Sequence, residues 1–339
     1  MSNLLNYIIK RLLLGIVVLI GAITITFFLS RVLPSDPAAM WVGPRATPEQ
    51  IAQASEDLGL NRPLIIQYFI FIKNLIHGDL GRSLRTRQPI SSELAEYLPP
   101  TLELVFIATF LAIIIGIPLG LISAQKKDKT LDHASRIFSV GAVSLPTFWI
   151  GMFLQLIFYR WLSFLPLGGQ LDIKTQFYYE IPDKTGFLIL DCLITGNFMV
   201  LKDAILHMIL PTIAISLYPI GLVARMTRSA LVEILSEDYI TAARSYGIKE
   251  RVVLWHYALK NSLGTTMTVL TLCIGYTLVS TFLVEAIFSW PGIGMYISTA
   301  VLTLDYPAII GVTIFSAISY IILNLVADII IALDPRVRM

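Results

Sequence analysis

Long apolar runs alternate with short polar stretches along the whole chain, and the length of each run decides what it can be. Leu12–Ser30 is apolar or small throughout. A run of about 20 such residues is long enough to cross the hydrocarbon of a bilayer as a helix. Five more runs follow: Thr101–Ser123, Ile137–Trp161, Ile205–Ala224, Leu263–Ala286 and Ala308–Leu333. The pattern therefore predicts an all-α polytopic membrane protein with six transmembrane helices. Gly116, Pro118 and Gly120 interrupt the second run, Pro146 the third, and Pro211 and Pro219 break the fourth. Membrane helices tolerate such residues where neighbouring helices re-satisfy the freed backbone. Trp149, Tyr159 and Trp161 sit toward the end of the third run, as aromatic anchors at an interface do.

The polar stretches have their own grammar. An external segment separates the first two spans, with turn signals at Ser35-Asp36-Pro37 and Gly43-Pro44. Thr47 caps a helix that opens with Pro48 and runs through Leu58. Leu64–Ile76 is apolar but too short to span, so it reads as an interfacial or packed helix. His77–Ser83 is a glycine- and charge-rich turn, and it reads as a structured loop before it reads as a ligand site. Leu162–Asp203 is a polar connector in which acidic residues outnumber the lysines. The domain reading is 1–100 for the first span and external segment, 101–333 for a core of five spans, and 334–339 for a tail.

Composition agrees with the pattern. Of 339 residues, 56% are hydrophobic and 14% charged, and mean hydropathy is +0.75. Soluble domains carry about a quarter charged residues. The placement of charge matters more than its sum of +2. Lys10, Arg11, Lys126, Lys127, Lys129, the 225–261 region, Arg336 and Arg338 all fall on one side of the predicted membrane, and the 289–307 loop carries no Lys or Arg. Positive charge in short loops stays in the cytoplasm, which puts both termini and the 225–261 loop there. The first run ends in Arg31-Val32-Leu33-Pro34, a poor cleavage site, so it reads as an uncleaved span. Cys192 and Cys273 imply no disulfide framework.

One polar stretch differs from the rest. Asp238–Gly247 and its continuation to Asn261 are neither apolar nor loop-like. Ile240, Ala243, Val252, Val253, Trp255 and Tyr257 recur at roughly helical spacing, with Arg244, Lys249, Glu250, Arg251 and Lys260 between them. Asp238 is a candidate N-cap, and Gly247 can end the first helix in a left-handed conformation. The stretch reads as helix–glycine–helix, amphipathic and basic. The physical pattern alone also fits an amphipathic linker lying on the membrane surface.

Thr241-Ala242-Ala243-x-x-x-Gly247, with Leu259 beyond it, resembles the cytoplasmic loop of ABC importer permeases. Asp238-Tyr239-Ile240, Arg244 and Ala258-Leu259-Lys260-Asn261 are similar to the version found in the dipeptide/oligopeptide/nickel permease family. Thr241 stands where the wider pattern has Glu, and Lys260 where it has Pro; both departures are typical of the peptide branch. Gly78-Asp79-Leu80-Gly81-x-Ser83 and Phe288–Gly294 belong to the same resemblance. It implies a type I ABC importer permease fold in a prokaryotic cell membrane. It implies that the short helix couples to a partner ATPase through Tyr239, Thr241, Ala242, Ala243, Arg244, Gly247 and Arg251. It further implies a second homologous permease, two cytoplasmic ATPases that bind the ATP, and an extracytoplasmic substrate-binding protein. The implied cargo is a di- or oligopeptide, with nickel, metallophore or oligosaccharide as alternatives within the family.

Other chemistry is not evident in the sequence. It has no Gly-x-x-x-x-Gly-Lys-Ser/Thr loop, no His-Glu-x-x-His pair and no Gly-x-Ser-x-Gly elbow. The expectation is a transport subunit without its own ATPase site, without catalytic or metal-binding residues, cofactor or nucleic-acid partner. An ion-coupled carrier would want more ionisable residues in its spans than Glu103, Glu285 and Asp328; Asp328 reads as a helix-to-helix contact, and His207 as a packed residue. Small and hydroxyl side chains mostly pack membrane helices together. Ser216, Tyr218, Thr277, Ser280 and Ser316 are the candidates to line a passage.

Overall fold

The computed structural model describes residues 2–32, 36–43 and 45–333. Pro34, Ser35, Pro44 and the 334–339 tail, on which parts of the sequence reading fall, lie outside the described residues. Among those described there is no strand, only an isolated bridge between Arg82 and Pro89. The helices are α1 Ser2–Val32, α2 Pro37–Val42, α3 Pro48–Asp57, α4 Leu64–Ile76, α5 Ile90–Gln125, α6 Thr130–Ser144 and α7 Thr147–Trp161. They continue as α8 Ile173–Tyr178, α9 Leu188–Thr195, α10 Phe198–Ile234, α11 Asp238–Ser245, α12 Glu250–Ile287, α13 Ile293–Leu302 and α14 Tyr306–Leu333.

Among the described residues five helices are long and apolar enough to cross a membrane, while α6 and α7 reach that length only as a pair, bent by 102° at the break between them. The third run is thus not one helix from Ile137. It begins at Thr130 and breaks at Pro146. Proline cannot donate to the ladder and pushes its predecessor out of the helical region. Leu145 accordingly sits at φ −88°, ψ 135°. The fourth run is corrected the other way. Pro211 and Pro219 do not break α10, which is continuous for 37 residues. Both prolines are buried among neighbouring helices, so packing holds the helix together where the ladder is interrupted. Because α10 runs to Ile234, the loop expected from residue 225 starts ten residues later.

The second span likewise begins at Ile90, so the boundary read between residues 100 and 101 falls inside α5. The backbone of α5 widens into a π turn at Ala112–Gly116, just ahead of Pro118. That widening accommodates the clash a proline ring makes with the preceding turn. The connector expected between 162 and 203 carries α8 and α9. Thr47 caps α3 in a capping box with Gln50, as its sequence requires.

Helix α10 is the hub. It packs against α5, α6, α7, α9 and α12, while α1 lies outside on α14. The main apolar core joins Leu104 and Ala108 of α5, Leu210, Ala214 and Ile215 of α10, and Val284 of α12 to Phe288 and Trp290. Arg11 of α1 pairs with Asp328 of α14 at 3.0 Å, the interhelical contact read from the sequence. His207 is buried, with its Nδ1 2.9 Å from the carbonyl of Asp203.

Candidate coupling site and translocation residues

At one end of the bundle α11 lies across the ends of three spans. Ile240 and Ala243, three positions apart, are buried and point into an apolar seat. The seat is built from Leu121 and Ala124 of α5, Leu231 of α10, and Val253, Leu254, Ala258 and Leu259 of α12. A force on α11 therefore reaches all three helices through one packed cluster. Asp238 is the first helical residue rather than the cap. Glu237 occupies the cap position without a side-chain hydrogen bond, and Asp238 places its charge in the first turn. The chain leaves α11 through Gly247 at φ +76°, a left-handed conformation that side chains disfavour. It re-enters α12 through a π turn at Val253–Leu259.

The opposite face of α11 is open. Thr241, Ala242, Arg244, Gly247 and Arg251 are exposed. Tyr246 is 86% exposed and Tyr239 41%. Two contacts brace this face across the turn. Arg244 donates to Glu250 through Nη2 at 2.8 Å and Nε at 3.2 Å, and Asn261 donates to the Tyr239 hydroxyl at 2.9 Å. Six of the seven residues named for coupling lie on this surface. Ala243 lies in the seat beneath it, with Trp255 and Val252 exposed beside it.

A salt bridge at the same end was not legible as a site. Asp132, fully buried, accepts from Nε and Nη2 of Arg228, both at 2.6 Å, from Ser123 Oγ at 2.6 Å and from Asp128 N at 2.9 Å. Reading the third span from Ile137 left Asp132 in a polar loop, and its partner stands 96 positions away.

The five passage candidates do not converge on one cavity. Ser216 is buried and donates to the Ile213 carbonyl at 3.1 Å. Tyr218 of α10 stacks on Tyr276 of α12 with ring centroids 4.2 Å apart. Thr277 is buried, and Ser280 donates to its carbonyl at 3.2 Å. Ser316 alone lines a cavity of about 270 Å³, together with Thr101, Thr281, Phe282 and Gly294.

At the far end, a polar network ties the turn before α14 to the segment before α5. Asp305 accepts from Ser83 Oγ at 2.5 Å, Leu84 N at 3.1 Å and Arg85 N at 3.2 Å, which makes the His77–Ser83 turn a structural element. Glu93 accepts from the Thr86 and Tyr296 hydroxyls, both at 2.7 Å. Burial pushes the Tyr296 phenol well above its usual range, and its bond to Glu93 pushes the same way. Trp290 Nε1 donates to the Pro100 carbonyl at 3.0 Å, and Gly294 N donates to the buried Glu285 carboxylate at 2.6 Å. Beside it, Asp191 of α9 is fully buried and accepts from Thr185 N and Oγ1, Lys184 N and Gly186 N. Burial pushes its carboxyl up, but these donors outweigh burial and hold it below the usual range.

Comparison with known proteins matches this architecture over nearly its whole length. The family model described as "Binding-protein-dependent transport system inner membrane component" matches residues 116–339. The N-terminal model for the membrane component of these systems matches residues 4–105. The chain is 40% identical to the probable D,D-dipeptide transport system permease protein DdpB of Escherichia coli K12, over 95% of this chain and 94% of that one. It is 40% identical to the dipeptide transport system permease protein DppB of Alkalihalophilus pseudofirmus, over 99% and 100%. It is 32% identical to the oligopeptide transport system permease protein AppB of Bacillus subtilis, over 98% and 99%. A bundle of apolar spans carrying a short exposed helix on the ends of three of them, matched by both models, makes this chain a multi-pass permease subunit of the binding-protein-dependent transport system inner membrane component family.

Proposed function

We propose that this chain forms half of the translocation pathway of an ATP-driven importer of di- or oligopeptides, paired with a second homologous permease. The names of its relatives, which transport D,D-dipeptides, dipeptides and oligopeptides, support a peptide cargo. Two cytoplasmic ATPases bind the ATP, and an extracytoplasmic binding protein delivers the peptide. The permease makes no covalent bond and holds no nucleotide or cofactor of its own. Both termini and α11 face the cytoplasm, in line with the basic residues gathered at that end.

One observation carries the mechanism: α11 presents an exposed polar face carrying Arg244, while its buried face is shared by α5, α10 and α12. ATP binding draws the ATPases together, α11 moves with them, and the packed seat passes that displacement to the spans. Close-packed interfaces switch between discrete arrangements, so a small shift at α11 is enough to bias which end of the passage is open. Of the five passage candidates Ser216 and Thr277 are buried, which leaves Tyr218, Ser280 and Ser316 to offer hydroxyls to a cargo that must bind weakly and leave. The test is uptake of labelled peptide by cells carrying Arg244→Glu. We expect uptake to be lost with the permease still in the membrane and still bound to its partner permease. Normal uptake by that variant overturns the coupling role.

A further inference from the structure

Between α6 and α10, one to two turns in from the end that carries α11, lies a pocket of about 210 Å³ that neither coupling nor passage uses. Three arginines line it: Arg136 of α6, and Arg225 and Arg228 of α10. Arg228 is neutralised by Asp132. Arg136 and Arg225 are exposed at the rim, and no acidic side chain lines the pocket. Lys126, Lys127 and Lys129 stand on the α5–α6 turn at the same end, with Asp128 and, one turn further along α10, Glu233 as the nearby acids.

An independent observation points to a ligand. Ser139, which lines the pocket, is 2% exposed, and its hydroxyl has no hydrogen-bond partner. A buried hydroxyl left unpaired costs about 1–3 kcal/mol, so an acceptor in the pocket would relieve it. Two arginines and a hydroxyl donor match the oxygens of a phosphate.

The surroundings say which phosphate. Val140 lines the pocket and is 55% exposed, and Ile137 beside it is 75% exposed. An apolar strip on α6 thus borders the cationic rim. A soluble anion has no use for that strip, whereas a phospholipid lays its acyl chains along it and its headgroup among the arginines. We infer that this pocket binds the phosphate headgroup of an anionic phospholipid from the leaflet on the α11 side. The site does not depend on what the permease carries.

The experiment is native mass spectrometry of the assembled transporter, purified from a membrane containing phosphatidylglycerol and cardiolipin. Wild type should retain an anionic lipid on this chain. Arg136→Gln with Arg225→Gln should cut the retained fraction by about tenfold, the loss expected for two charge-assisted contacts. Ser139→Ala should cut it by a smaller factor, and it keeps the test open if the double variant does not assemble. Lys126→Gln with Lys127→Gln, outside the pocket, should change retention little. Undiminished retention by both pocket variants overturns the inference. So does displacement of the bound lipid by millimolar inorganic phosphate, which would make this a free-anion site. Retention of the second permease's segment there instead of lipid, seen by crosslinking from residue 136, overturns it too.

Discussion

Arg228 and Asp132 meet in a parallel, two-pronged ion pair, with Nε on one carboxylate oxygen and Nη2 on the other, both at 2.6 Å. The pair fastens α6 to α10 at the end where α11 is seated. Asp132 is fully buried and Arg228 about one-fifth exposed, so neither can turn to water if its partner is lost. Removing one member of such a pair costs about 3–5 kcal/mol. Asp132→Ala should therefore lower the thermal stability of the purified transporter sharply. Arg228→Lys, which offers a point charge in place of a planar fork, should lower it less. Asp132→Asn with Arg228→Gln should be milder than the sum of the single changes, because no unpaired charge remains. An additive double variant would show that the two residues act separately.

Gly120 sits where α5 and α10 touch backbone to backbone. A methyl group there would come within 2.6 Å of the Ala224 carbonyl and 2.7 Å of Thr227 Cβ. Neither the carbonyl nor the threonine Cβ can swing aside, so the helices must part. Gly120→Ala should destabilise the bundle by about 1–3 kcal/mol, the range for overpacking a tight contact. Gly21, around which no atom lies within 4 Å of such a methyl, should accept alanine without loss. Melting of the two variants in the same detergent compares the positions directly.

These positions show what could be read from the chain and what could not. Six apolar runs, Thr47 as a cap and Gly247 as a left-handed stop all follow from local pattern, because each is decided within a turn or a span. Gly116, Pro118 and Gly120 looked like interruptions. The part of the two glycines in close packing against α10 depends on a helix more than a hundred positions away. The bend at Pro146 was signalled by the proline, but apolar composition on both sides hid it. The Arg228–Asp132 and Ser83–Asp305 contacts join residues 96 and 222 positions apart, and no periodicity reports such a pairing. The short amphipathic helix and its buried positions Ile240 and Ala243 were legible because helical spacing survives in a short helix; the coupling role proposed for its residues comes from the family resemblance. The passage candidates were not narrowed, because hydroxyls that pack helices and hydroxyls that line a path look alike in sequence.

Trp290 ties the segment before α13 to the interior of α5, through its indole N–H and the Pro100 carbonyl. Its side chain is 1% exposed within the main core. Trp290→Phe keeps most of the apolar volume but removes this hydrogen bond between segments, while the Pro100 carbonyl keeps its place in the α5 ladder. The expected cost is about 0.5–1.5 kcal/mol, the net worth of one hydrogen bond. If the far end opens and closes on this contact, the variant should also raise basal ATP hydrolysis of the assembled transporter in the absence of binding protein. Unchanged stability would show that the indole hydrogen bond adds nothing to the folded state.

Asp191 gives the connector a definite response to pH. Its carboxylate gathers four donors from residues 184–186, while Glu103 of α5 accepts from Ile189 N, two positions before Asp191, at 2.8 Å. The folded state holds the Asp191 carboxyl below its usual range, so folding is favoured by its ionised form. That stabilisation is complete above about 4, where the unfolded carboxyl is ionised, and it is lost as pH falls through the lower folded value. Wild-type connector should thus resist proteolysis between residues 180 and 190 near neutrality and become susceptible only below pH of about 4. Asp191→Asn places an amide N–H₂ among N–H donors and carries no charge, so it should be cut near neutrality and show no further rise on acidification. Equal protection of variant and wild type near neutrality would mean that packing of Leu188 and Cys192 against Val200 and Ala204 holds the connector without this carboxylate.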